Sequence, residues 1–142
     1  MKKLNLVIII IIITLFGNSC NDMSQNENKI DSDDMMIRIA EIEIDSVFLD
    51  EYISILKEES EASVRLESGV ICIYPMFQKE NPTKIRLLEI YSNEAAYESH
   101  IQSPHFKHYK ATTFNMVKSL RLIDMEAIDQ KTMTSIFKKL DQ

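Results

Sequence analysis

Glycine and proline are scarce in this sequence of 142 residues, which holds 2 Gly and 3 Pro. Collagen-like chains and most long disordered ones are rich in them, so a largely disordered or collagenous protein is excluded. Cysteine occurs twice, too few for a disulfide framework. Tryptophan is absent. Positive charge is in deficit, with 16 Lys+Arg against 22 Asp+Glu and a formal net charge of −6. Binding to nucleic acid is driven by Lys and Arg neutralising phosphates, so this balance argues against a nucleic-acid partner. The length suits one domain with a tail.

Long apolar runs are confined to the beginning. Met1-Lys2-Lys3 is a short basic start, Leu4 to Phe16 is apolar apart from Asn5 and Thr14, and Gly17-Asn18-Ser19-Cys20 is small and polar before its cysteine. This is the order of a secretory signal. A membrane-spanning helix needs about 20 apolar residues, so the run is too short to span. Cys20, directly after Ser19, resembles the cleavage site of a bacterial lipoprotein, although Gly17 stands where such sites usually have Leu. The resemblance implies removal of residues 1–19 and acylation of Cys20, whose lipid chains would hold at about 0.8 kcal/mol per buried CH₂. The expected location is then the bacterial cell envelope, lipid-anchored to a membrane. An ordinary signal with an incidental cysteine, giving a secreted or periplasmic protein, is the alternative. Cys72 lies in an apolar run with no His or cation nearby in sequence and reads as a small buried hydrophobe.

Residues 20–34 carry little beyond Met23 and Ile30 that could be buried and read as a flexible tether. The domain is expected over residues 35–128. Met36–Ile44 (MIRIAEIEI) alternates and predicts a strand. Asp45-Ser46 can cap a helix over Val47–Glu67, with Phe48, Leu49, Tyr52, Ile53, Ile55, Leu56 and Val64 at helical spacing and Gly69 as its stop. Val70–Phe77 predicts a second strand, with Pro75 confining it to an edge or a bulge. Gln78–Thr83 reads as a turn, and Lys84–Tyr91 as a third strand that closes a hairpin. Ser92-Asn93 caps a short helix over Glu94–Gln102. Ser103-Pro104 restarts helix to about Ser119, and Leu120–Ile128 is the fourth strand. Residues 129–142 place Met133, Ile136, Phe137 and Leu140 at helical spacing, as a C-terminal amphipathic arm.

The order β-α-β-β-α-β is the ferredoxin-like unit, an α+β fold with both helices on one face of an antiparallel sheet. Alternation puts Arg38, Ala40, Ile42 and Ile44 on one face of the first strand and Ile37, Ile39, Glu41 and Glu43 on the other. In the third strand Ile85, Leu87, Glu89 and Tyr91 oppose Arg86, Leu88 and Ile90. Helices cover one face only, so the other leaves apolar residues to be buried by a second copy. A homodimer packed sheet to sheet is expected. Glu41 and Glu43 could assist at a site or simply pair with Arg65, Arg86 or Lys84.

Three sequence features occur in order across residues 36–128: Glu67-x-Gly69 leading into a strand with Tyr74; Leu88-Glu89-Ile90-Tyr91 followed by Glu94-Ala95; and His100-x-x-Ser103-Pro104-His105-Phe106. Together they resemble the antibiotic biosynthesis monooxygenase family, and particularly its small quinol-monooxygenase-like members. The resemblance implies a dimeric α+β barrel that oxidises a small quinol-like aromatic substrate with O₂ and needs no cofactor. The substrate supplies the electrons; the protein supplies an apolar pocket, a proton acceptor and orienting hydrogen bonds.

His100 is the candidate catalytic base, since its unperturbed pKa suits proton transfer near neutrality. Tyr74, Glu89, Tyr91, Tyr97 and Phe106 are the candidate substrate-binding residues. Each has a plainer reading. His100 also suits the C-terminal end of a helix dipole, and Tyr74 and Tyr91 also suit a core or an interface. His105 and His108 lack a third ligand at a suitable offset, so they read as solvated and no metal site is expected. A related branch of the fold degrades haem with an Asn, a Trp and a His. Here no Trp exists, the first strand has no Asn, and His100 and Lys110 stand where the branch has its Trp and His. Haem degradation is disfavoured. The alternative to the monooxygenase is a non-catalytic module that binds a small molecule, or haem, on the same scaffold.

Overall fold

A computed structural model describes residues 32–129 together with Thr132 and Ser135. The signal-like segment, Cys20, most of the tether and nearly all of the C-terminal arm lie outside the described residues. A short 3₁₀ turn at Ser32–Asp34 leads into β1 (Met36–Ile44). There follow α1 (Leu49–Leu66), β2 (Val70–Gln78), β3 (Asn81–Tyr91), α2 (Glu94–His100), α3 (Pro104–Thr113) and β4 (Val117–Met125). The four strands form one antiparallel sheet in the order β2-β3-β1-β4. This is the expected ferredoxin-like α+β arrangement, with the second helical crossover split in two.

The split follows from the sequence. Asn93 Oδ1 accepts from Ala96 N–H at 2.9 Å and starts α2. Ser103 Oγ accepts from Phe106 N–H at 3.2 Å and starts α3, with Pro104 in its first turn where a missing N–H does no harm. Asp45 caps as expected, accepting from Val47 N–H, but the turn it opens is a 3₁₀ helix, Ser46–Phe48, before α1 proper. Pro75 sits on β2, an edge strand, which spares a ladder partner on its free side.

Several expected boundaries move. The hairpin turn shrinks to Lys79-Glu80, because Gln78 pairs with Asn81. Pro82 is tolerated inside β3 because the pairing of β3 with β1 extends only to Lys84. The helix expected to run to Ser119 stops at Thr113, and β4 begins at Val117. There Asp45 N–H donates to Met116 carbonyl at 2.8 Å and Val117 pairs with Ile44, so cross-strand partners draw these residues out of helix. β4 correspondingly ends at Met125.

Gly69 has a different purpose from the one expected. No described glycine has a positive φ, and α1 ends at Leu66 with Glu67 extended. A Cβ on Gly69 would lie 2.5 Å from the Ala96 Cβ, so the residue is small to let α2 approach β2. Gly69→Ala should therefore destabilise the protein by about 1–3 kcal/mol through overpacking, read as a lower urea midpoint at constant slope.

The core lies between the helices and the sheet face carrying Ala40, Ile42, Ile44, Ile85, Leu87 and Tyr91, each at most 5% exposed. Helix α1 buries Tyr52, Leu56, Glu59, Ser60 and Ser63 against it, while Val64, expected to pack, is exposed. The opposite sheet face presents Ile37, Ile39, Leu88, Ile123 and Met125 around an ion cluster in which Glu41 bonds both Arg86 and Arg121. The register sets Glu41 directly opposite each arginine. The Arg121 bond, helped by Arg86, holds the Glu41 carboxyl below its ordinary range. Cys72 is on this face, half-buried, with burial pushing its thiol up.

Candidate active site

Between the sheet and the helices lies a cavity of about 390 Å³. Its sheet wall comes from period-two alternation: Arg38, Ala40 and Ile42 of β1, Leu87, Glu89 and Tyr91 of β3, Ile73 of β2, and Leu120 and Leu122 of β4. Its helix wall comes from Glu59 of α1, Tyr97 and His100 of α2, and Phe106, Tyr109 and Lys110 of α3. Most of these side chains are apolar or aromatic, with a few polar groups directed inward, as expected for a small-molecule site.

Five of the six residues expected at the site meet there. His100, Glu89, Tyr91, Tyr97 and Phe106 all line the cavity. Tyr74 does not. It pairs with Leu88 and is 61% exposed, on the opposite sheet face, while its neighbour Ile73 pairs with Glu89 and points inward. One residue along a strand reverses the face.

His100 is the last residue of α2 and is 2% exposed. Its ring is held against Phe106 (centroids 4.8 Å) and Tyr91 (5.4 Å). Nδ1 lies 2.9 Å from Glu67 Oε1, and Nε2 lies 3.7 Å from Glu59 Oε1. The same Glu67 oxygen is 2.5 Å from His105 Nε2. His105 is thus half-buried on a carboxylate, contrary to its solvated reading, whereas His108 is exposed as expected.

Glu67, His100 and His105 offer ligand atoms within 4.8 Å of one another. Ligands each about 2.0–2.2 Å from a tetrahedral metal sit well over 3 Å apart. The 2.9 and 2.5 Å contacts onto one oxygen are hydrogen-bond lengths instead.

Sequence reasoning missed Glu59, Arg38, Tyr109 and the pairing role of Glu67. Glu59 is 5% exposed and accepts from Ser63 Oγ at 2.8 Å. Burial raises its pKa, against the Ser63 hydrogen bond and His100. The signal was available: Glu59 lies three residues after Leu56 and seven after Tyr52, on the buried stripe of α1. Arg38 is 9% exposed, bonds Asp124 at 2.7 Å and lies 4.5 Å over the Tyr97 ring. Tyr109 O–H and Tyr52 O–H share a 2.6 Å hydrogen bond. Burial carries the Tyr109 hydroxyl up to about 12, partly offset by that bond.

Burial, opposed by the Tyr91 hydroxyl and Arg38, pushes Glu89 up to about 7 from 4.5. Tyr91 O–H donates to Glu89 Oε2 at 3.3 Å. Between those two values the folded chain holds a proton that the unfolded chain releases. Glu89 therefore lowers stability as pH rises from about 4.5 to about 7, by roughly 3 kcal/mol. Glu89→Gln should be neutral near pH 4 and stabilising at pH 8, as read from urea unfolding at both pH values.

The profile of the antibiotic biosynthesis monooxygenase family matches residues 35–112. A crystal structure from Bacteroides thetaiotaomicron that carries this family's name is 47% identical, with a TM-score of 0.69, over 70% of this chain and 94% of that one. A monooxygenase-named structure from Lactobacillus acidophilus is 26% identical with a TM-score of 0.65, over 66% of this chain and 45% of that one. A protein of Nitrosomonas europaea, 16% identical over 67% of this chain and 91% of its own, shares the fold with a TM-score of 0.63. No curated protein matches. The profile match over more than half of the sequence and the close Bacteroides relative lead to one assignment: the chain belongs to the antibiotic biosynthesis monooxygenase family.

Proposed function

We propose that the protein is a cofactor-independent monooxygenase that oxidises a small quinol-like aromatic molecule with O₂ in the cavity beneath α2 and α3. The observation that carries this reading is a buried histidine, His100, on the wall of a largely apolar cavity of about 390 Å³. His100 takes a proton from a ring hydroxyl, and the quinol anion is electron-rich enough to reduce O₂. Across the reaction a ring C–H bond breaks, a C–O bond forms and the O–O bond breaks. One oxygen atom enters the ring and the other leaves as water with two hydrogens. All four electrons come from the quinol, which becomes a hydroxyquinone. Arg38 supplies positive charge near the developing anion. Tyr91 and Glu89 are within reach of a ring oxygen, and Phe106 offers a face for the ring.

Oxygen uptake with a panel of reduced quinols tests the reading. The expected result is uptake above autoxidation, with one atom of ¹⁸O₂ in the product. Uptake no faster than autoxidation for every quinol overturns it.

Two further expectations belong to the proposal. The uncovered sheet face, with its apolar residues around Glu41, supports a sheet-to-sheet homodimer; a monomer by light scattering at micromolar concentration refutes it. The order of residues 1–20 supports a lipid anchor on Cys20, and Cys20→Ser should then release the protein from membranes.

A further inference from the structure

We propose that Glu67 is the positioning carboxylate of a Glu67–His100 dyad, which fixes the imidazole in the form whose Nε2 lone pair serves the cavity. The inference rests on the reading of His100 as the base and names what makes it one. A carboxylate only accepts, so the 2.9 Å contact at Nδ1 requires that nitrogen to carry the proton. In a neutral ring Nε2 is then bare, and it lies on the Glu59 side, among the groups that line the cavity.

Three separate elements build the arrangement. Glu67 caps the end of α1, His100 closes α2, and His105 stands in the first turn of α3. His105 holds the same oxygen as a second donor and so fixes where Glu67 points. Side-chain exposure rises from 3% at His100 to 15% at Glu67. His100 lines the cavity and Glu67 is not among its lining residues, so the carboxylate acts through the ring without touching substrate. The other groups facing the ring are Glu59 from α1, Tyr91 from β3 and Phe106 from α3. When Nε2 gains a proton, the Glu67 carboxylate stays on Nδ1 and faces the new cation, with Glu59 3.7 Å from Nε2 on the other side; this is the orienting role known from histidine–carboxylate pairs in hydrolases.

The test reads the ring directly. In protein labelled with ¹⁵N-histidine, His100 Nδ1 should show the shift of a protonated nitrogen and Nε2 that of a bare one. In Glu67→Ala the Nε2-protonated form should gain population. With the quinol that gives the fastest uptake, Glu67→Ala and the isosteric Glu67→Gln should each lower kcat by on the order of 10²-fold with KM little changed. A wild-type His100 protonated at Nε2, or a tautomer and kcat unaffected in both variants, overturns the dyad. So does a stoichiometric metal ion released on denaturing the wild type, since an ion on Nδ1 would leave no proton there for Glu67. Because the tautomer is measured without substrate, absence of oxygen uptake would refute the monooxygenase reading and leave the dyad's own test standing.

Discussion

His100→Ala should reduce quinol-dependent oxygen uptake by about 10²–10⁴-fold, the range ordinarily supplied by a positioned general base. The loss should fall on kcat, because binding of an aromatic ring depends mainly on the apolar walls, which the substitution leaves in place. The ring it removes is nearly fully buried and makes contacts with Phe106 and Tyr91, so some loss of stability is expected as well. Chemical rescue separates the two effects. Alanine leaves a space the size of the lost ring, and added imidazole should restore part of the rate if the missing element is a base. Equal uptake by the variant and the wild type would remove His100 from the mechanism, while a loss that imidazole does not restore would point to packing. The rate is best measured with the oxygen electrode and folding with a thermal melt of the same sample.

How much of this was legible in the sequence differs between fold and site. Strand alternation in MIRIAEIEI and KIRLLEIY, the caps at Asn93 and Ser103, and the proline on an edge strand are local signals, and each reappears in the structure. The boundaries that moved depend on distant partners. Val117 is strand because Ile44 is across from it, and Gly69 is small because Ala96 is next to it. Neither fact has a trace in the adjacent residues. At the site, one-residue resolution was the difficulty: Tyr74 and Ile73 are adjacent, and the hairpin register alone decides which of them faces the cavity. Glu67 sat in plain view beside Gly69, but its pairing with His100, 33 positions away, needs the folded chain. Glu59 was within reach, since its spacing from Tyr52 and Leu56 already marked it as an acid on an apolar stripe.

Tyr52→Ala should destabilise the protein by about 3–5 kcal/mol, the cost usually seen for emptying a large aromatic site. Tyr52 is 0% exposed and stands where α1 meets α3, its ring edge-on to Tyr109 with centroids 6.1 Å apart. Truncation removes the packed ring and also leaves the Tyr109 hydroxyl without its 2.6 Å partner. Burial drives the Tyr52 hydroxyl well above its ordinary range, so the pair stays neutral at any ordinary pH and the bond is a hydroxyl–hydroxyl one. Tyr52→Phe keeps the ring and breaks only that bond, so its cost should be about 1–3 kcal/mol, the penalty for an orphaned buried polar group. Since domains of this size have only about 5–15 kcal/mol in total, the alanine variant should unfold at a far lower urea concentration than the phenylalanine one. Tyr109 also lines the cavity, so the phenylalanine variant should, besides that smaller loss of stability, change KM for a ring-shaped substrate. Equal midpoints for Tyr52→Ala and the wild type would mean that the α1–α3 contact contributes nothing to holding the roof over the sheet.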